Sequence, residues 1–237
     1  MPPLVISHAA CAGHAPENTL AGIRAALNLG ADAIEVDVQA TSDGVPILMH
    51  DLTVDRTTNG NGPLASLPWK QLRRLDAGGG EGVPTLAQAL TLTKDKALLV
   101  AEIKQPGIEP LLAEQARRAN ALASIMVWSF FPQALESMRR AEPRLPCGLL
   151  IAPQGIESWP QMRDLALQLG AQAVSLFHQG LTEAIVAQAH RSALTVYAWT
   201  ADAEADIQRL LHLDVDGIVS NHPDRVRACL GPSASNR

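Results

Sequence analysis

The chain has 237 residues, 47% of them apolar, and a formal charge of −5 at pH 7. That is the size and polarity of one globular domain with a sizeable core. The acidic balance excludes a general binder of nucleic acid or anionic membrane, so a small-molecule partner is expected, and a local cationic pocket is still free to hold a phosphate.

The start, Met1-Pro2-Pro3-Leu4-Val5-Ile6-Ser7-His8, carries no basic n-region and no long apolar stretch. Neither a signal peptide nor a membrane-inserted helix is expected, and the location expected is the cytoplasm. Cys11, Cys147 and Cys229 are odd in number and lack metal-ligand spacing, which suits reduced packing thiols. The first strand is expected at Leu4–His8 and ends on a histidine. Asn18 or Thr19 is placed to cap a helix over Leu20–Leu29, and Glu17 to cap, to reach a metal or to orient His8.

The next strand, Ala33–Val38, holds Glu35 and Asp37 one residue apart. Strand side chains alternate, so both acids share one face, and Ile34, Val36 and Val38 require the other face to be buried as well. Two like charges on a buried face raise each other's pKa unless a cation lies between them, which points to a divalent metal; the alternative is a solvent-facing pair on an edge strand. The strand Pro46–His50 follows through Ser42-Asp43-Gly44, too short a link for a parallel crossover. It is therefore expected to return antiparallel, bringing His50 level with Asp37 and opening an insertion from about 43 to 84. Asn59-Gly60-Asn61-Gly62-Pro63 and Gly78-Gly79-Gly80 make this insertion turn-rich. Little core is expected in it, with two helical turns at Trp69–Leu75. Thr85 caps the helix after it, through Ala89.

Ala97–Lys104 ends on Glu102 and Lys104, again sharing a face, and so adds a third carboxylate and a cation at a strand end. Strands at Ser124–Ser129, Cys147–Ile151, Ala173–Leu176, Leu194–Trp199 and Gly217–Val219 alternate with helices near 107–121, 131–141, 157–169, 181–191 and 202–213. Setting aside the antiparallel strand leaves eight. The expected fold is α/β, a TIM (β/α)8 barrel with a small insertion after the second barrel strand, as one domain over 1–230 with a flexible tail at 231–237. Three carboxylates suit Mg2+ or Ca2+ better than Zn2+, which would recruit the histidines.

Several ordered motifs then carry a resemblance. They are His8 with Ala15-Pro16-Glu17-Asn18-Thr19-Leu20, Gly30 through Val38, Thr41 through Pro46, His50-Asp51, Asp55 through Gly60, Pro84-Thr85-Leu86, Glu102-Ile103-Lys104, Ser129-Phe130, Trp199-Thr200, and Asp216 through Val219 with His222-Pro223-Asp224. Over nearly its whole length the chain resembles the glycerophosphodiester phosphodiesterases. The resemblance implies a TIM barrel and hydrolysis of a glycerophosphodiester to sn-glycerol 3-phosphate and an alcohol. It implies a divalent metal on Glu35, Asp37 and Glu102, His8 and His50 as the acid–base pair, and Lys104 on a phosphate oxygen. Trp199 and Phe177 are candidates for the alcohol side of the pocket.

One departure bears on rate, because His8-Ala9-Ala10 stands where the family has His-Arg-Gly. Three explanations stay open: Lys104 and the metal suffice, His14 or Arg56 moves in, or the natural substrate differs, for instance a lysophospholipid. A non-catalytic barrel that binds metal and a glycerophosphate is the alternative from another class.

Overall fold

Eight short apolar runs pair in parallel and close on themselves. The structure, a computed structural model, describes residues 2–231. In chain order the elements are β1 (Leu4–Ser7), α1 (Leu20–Asn28), β2 (Ala33–Ala40), β3 (Pro46–Leu48), α2 (Trp69–Leu72), α3 (Leu86–Thr93), β4 (Leu98–Ile103), α4 (Glu109–Arg118) and β5 (Ile125–Ser129). The second half runs α5 (Pro132–Ala141), β6 (Cys147–Ile151), α6 (Pro153–Glu157), α7 (Trp159–Leu169), β7 (Ala173–Phe177), α8 (Glu183–Arg191), β8 (Thr195–Trp199), α9 (Glu204–His212), β9 (Gly217–Ser220) and α10 (Pro223–Leu230). The sheet order is β1-β9-β8-β7-β6-β5-β4-β2, and pairing of β1 with β2 closes the ring. This is a TIM barrel, with β3 outside it.

Alternation sorts the side chains. Ile34, Val36 and Val38 pack outward against the helices, while Ile6, Ala33, Val100, Trp128, Leu150, Tyr197 and Val219 fill the interior. Each large apolar side chain taken fully out of water contributes about 1.5–3 kcal/mol, so these two layers hold the barrel shut. The interior plug is fitted by glycine: a Cβ at Gly148 would lie 2.6 Å from the Trp128 ring, and one at Gly217 would lie 2.7 Å from the Tyr197 ring.

β2 outgrows its neighbour. β1 pairs with it only at Ala33 and Ile34, and β3 takes up the vacated edge antiparallel, Val38 facing Leu48 and Ala40 facing Pro46. Local caps fix the helices that carry this arrangement. Thr19 Oγ1 accepts from the Gly22 amide to start α1, and Thr85 with Gln88 forms a reciprocal capping box on α3.

Three expectations change. The insertion has a core of its own, Ile47, Met49, Val54, Leu64, Leu72, Ala77 and Val83, which a turn-rich composition concealed. Its helix is a single turn, Trp69–Leu72. The helix expected near 157–169 runs Trp159–Leu169, its start set by Pro160, which is tolerated only in a first turn, and an unexpected short helix, Pro153–Glu157, precedes it. Of the tail expected at 231–237, residues 232–237 lie outside the described residues.

Candidate active site

The C-terminal strand ends of the barrel surround a cavity of about 230 Å3. His8, Glu35, Asp37, His50, Glu102, Lys104 and Trp199 line it, joined by Phe130, read from the sequence only as part of a motif, and by Trp128, which the sequence does not single out. Phe177 does not line it. Its ring meets Trp199 edge to face at 5.4 Å, in the same aromatic group as Phe130, 5.5 Å from Trp199.

Glu35 and Asp37 are 3% and 2% exposed, so the solvent-facing alternative is excluded. One ligand oxygen from each of Glu35, Asp37 and Glu102 lies within 4.8 Å of the others. Lys104 Nζ is 2.9 Å from Glu102 and 3.5 Å from Asp37, a single positive charge against three carboxylates. Burial, reinforced by the charges of Asp37 and Glu102, holds the Glu35 carboxyl well above its usual range. Burial and Asp37 push Glu102 up to about 7 against the pull of Lys104. On Lys104 itself burial opposes the charge, and the carboxylates outweigh it.

The backbone after β1 completes this end of the site. Ala9 and Ala10 adopt φ of 45° and 68°, a left-handed turn that costs a residue with a Cβ roughly 1 kcal/mol or more each. The turn aims the Ala9 amide at Glu35 Oε2, 2.8 Å away. Asn18, also left-handed, spends its side chain on Asp37, donating to Oδ2 at 2.7 Å and accepting from the Asp37 amide at 2.9 Å. It is therefore not the helix cap. Glu35 Oε1 is buried and has no hydrogen-bond partner among the described residues. An orphaned carboxylate oxygen beside two more acids is costly, and an all-oxygen donor set fits a hard divalent cation such as Mg2+ or Ca2+.

The two histidines are held differently. The His8 amide donates to Ser220 O, and its Nδ1 lies 2.8 Å from Asn221 Oδ1. Asn221 Nδ2 donates to Asp202 at 2.7 Å, so the oxygen of that amide must be the atom facing His8. Asp202 also accepts from Ser220 Oγ and the Asn221 amide, both at 2.8 Å, and although burial opposes it, these bonds hold its pKa below the ordinary value. His8 Nδ1 thus carries a proton, and Nε2, 4.0 Å from Glu35, is the ring's other nitrogen. His50 Nδ1 instead meets a carboxylate, Asp51, at 2.7 Å. Arg56, bonded to Asp51 and bidentate to Glu17, holds Asp51 down at about 2. Gln39, buried on β2, clamps the segment by donating to the carbonyls of Met49 and Asp51.

These contacts dispose of two expectations. Glu17 neither reaches the acid cluster nor orients His8; it pairs with Arg56. Arg56 is committed to Glu17 and Asp51, and His14 is bonded to Asp224, so neither is free to replace the missing arginine. Among the described residues, Lys104 is the only lysine or arginine lining the cavity. Asn221 and Asp202 are not singled out by the sequence; Asn18 reads there as a helix cap, Asp51 as part of a motif, and Arg56 as a replacement for the arginine rather than as the partner of Asp51. His8 and Asn221 are 213 positions apart, joined only because β1 lies beside β9.

A profile of the Glycerophosphoryl diester phosphodiesterase family matches residues 8–225. A glycerophosphodiester phosphodiesterase of Caldanaerobacter subterraneus is 35% identical over 94% of this chain and 96% of its own length. Among solved structures, a phosphodiesterase of Oleispira antarctica in complex with the product sn-glycerol-3-phosphate superposes with a TM-score of 0.87 at 26% identity, covering 97% of both chains. A glycerophosphodiester phosphodiesterase of Agrobacterium tumefaciens gives 0.85 at 26% identity, covering 96% of this chain and 100% of its own.

Proposed function

Because this chain belongs to the glycerophosphoryl diester phosphodiesterase family and is a phosphoric diester hydrolase, we propose that it cleaves glycerophosphodiesters to sn-glycerol 3-phosphate and an alcohol, using His8 and His50 for proton transfer beside a divalent cation. The observation that carries this reading is one cavity lined by two imidazoles with partnered Nδ1 atoms, three clustered carboxylates and Lys104. The product bound to the Oleispira phosphodiesterase is the one this reaction would release.

In the first half-reaction the glycerol 2-hydroxyl oxygen bonds to phosphorus, and the bond from phosphorus to the alcohol oxygen breaks. His8 takes the hydroxyl proton on Nε2, and His50 delivers a proton to the departing oxygen. The partners favour this assignment: the Asn221 amide oxygen takes the Nδ1 proton of His8 and turns its Nε2 to the cavity as the acceptor, whereas His50 is backed by a carboxylate, Asp51. Water then opens the cyclic phosphate with the two roles exchanged. Glu35, Asp37 and Glu102 would hold Mg2+ or Ca2+, which when bound neutralises charge on the phosphoryl oxygens. Lys104 holds a non-bridging oxygen as a point charge, and Phe130 and Trp199 wall the alcohol side.

The cavity suits a glycerophosphoryl group. The groove beside the insertion carries Arg73 and Glu81 along with Trp69 and Val83, a poor berth for an acyl chain. No helix of the described residues is long and apolar enough to cross a membrane, and the three cysteines are unpaired, in keeping with a reducing cytoplasm.

The test is release of sn-glycerol 3-phosphate from glycerophosphocholine and glycerophosphoethanolamine after EDTA treatment and on adding Mg2+ or Ca2+. Turnover that returns with the ion and is lost in His50→Ala is the expected result. Tight binding of glycerophosphate with no turnover of any diester would replace it with the non-catalytic barrel.

A further inference from the structure

A second group of metal-ligand side chains stands on the barrel rim, outside the cavity. His14, in the loop after β1, meets His222 and Asp224, which flank Pro223 at the start of α10. His14 Nε2 lies 2.7 Å from Asp224 Oδ1, the two histidine rings meet edge to face at 5.3 Å, and one ligand atom from each residue lies within 4.8 Å of the others.

The hydrogen bond between His14 and Asp224 explains only two of the three. The His222 ring makes no hydrogen bond among the described residues, though it is half-buried. It is nonetheless given a built seat: a Cβ on Gly13 would lie 2.5 Å from its Cε1 and 2.7 Å from its Nδ1, so only glycine admits the ring there. Two backbone amides lock the seat in place, Gly13 donating to Asn221 O at 3.1 Å and His222 donating to the Ser220 side chain, Oγ, at 3.0 Å.

We propose that His14, His222 and Asp224 bind a transition-metal ion of the zinc class. Two imidazoles and a carboxylate are the donors such ions take, whereas the oxygen-only trio in the cavity suits a hard cation. Ligand atoms around tetrahedral zinc stand about 3.4 Å apart, at bonds of about 2.1 Å. Side chains of His14 and Asp224, 32% and 42% exposed, have room to turn into that spacing from where they stand, and solvent supplies the fourth ligand. The ion would bridge the loop that follows His8 to the residues that follow Asn221, and so brace the bond between them. This site does not depend on the hydrolytic reading.

The experiment is titration of Zn2+, and of Co2+ as a spectroscopic probe, into the full chain held in excess Mg2+. One equivalent of Zn2+ and a visible Co2+ band of four-coordinate intensity are expected, both lost in His222→Ala and in His14→Gln. Melting curves and circular dichroism of each variant check that it folds; His14→Gln, on an exposed loop, keeps the test open if His222→Ala does not. Absence of the band in the wild type overturns the site, as does a band that survives both variants and disappears only in Glu35→Gln.

Discussion

Ala9 is the residue at which this chain parts from the pattern it otherwise follows, and its surroundings narrow what replaces the lost guanidinium. Arg56 and His14 are already paired, which leaves Lys104 as the cavity's fixed cation. A charged hydrogen bond contributes about 1.5–3 kcal/mol, so restoring Ala9→Arg with Ala10→Gly should raise kcat/KM for glycerophosphocholine about 10- to 100-fold. The glycine also relieves the left-handed φ of 68° at Ala10. An unchanged kcat/KM would mean that the phosphate lies elsewhere. Behind His50 the charge of Asp51 is the adjustable part. Asp51→Asn keeps a hydrogen-bonding group behind Nδ1 but removes the carboxylate that backs the ring at 2.7 Å, so kcat should fall about 100-fold with KM little changed, the size of one acid–base contribution. A rise in KM alone would assign Asp51 to substrate binding instead.

At the scale of elements, helix packing around the barrel is tied by Glu142, which follows α5. Its buried carboxylate accepts from Arg144 Nε at 2.7 Å and from Arg117, on α4, at 3.1 Å. These bonds, Arg144 first, hold it down at about 2 against burial. A carboxyl depressed in the folded state stabilises above its unfolded value, about 4.3, and that contribution is lost as pH falls through about 2. The melting temperature of wild type should therefore exceed that of Glu142→Gln at pH 7 and converge on it towards pH 2. A gap that does not change with pH would refute the linkage. The strands were legible because alternation forces Glu35, Asp37, Glu102 and Lys104 onto inward faces, and loop length forces β3 antiparallel. What was not legible depends on closure. Asn221 reaches His8 only through the pairing of β1 with β9, and the insertion's core gathers Val54, Leu64 and Leu72 from turns that follow no single period. Gly13 and His222 are likewise unremarkable until the barrel closes and sets one against the other.

On the scale of the whole molecule the acid cluster sets function against stability. Glu35 is buried with one oxygen unpartnered among the described residues, and three carboxylates face one ammonium at the open end of an otherwise apolar interior. The metal-free fold bears this repulsion, and a cation that binds only the folded chain offsets it. Occupancy at 100 times Kd contributes about 2.7 kcal/mol, which for a chain of this length raises the melting temperature by about 5–11 °C. Glu35→Gln inverts the balance. With one charge gone the metal-free variant should melt above the metal-free wild type, gain little from Mg2+ or Ca2+, and release no measurable sn-glycerol 3-phosphate. Calorimetry of both proteins with EDTA and with each ion separates the outcomes: a variant that melts lower without metal would show Glu35 to be a net stabiliser of the fold, and one that keeps the full metal shift would remove it from the ligand set.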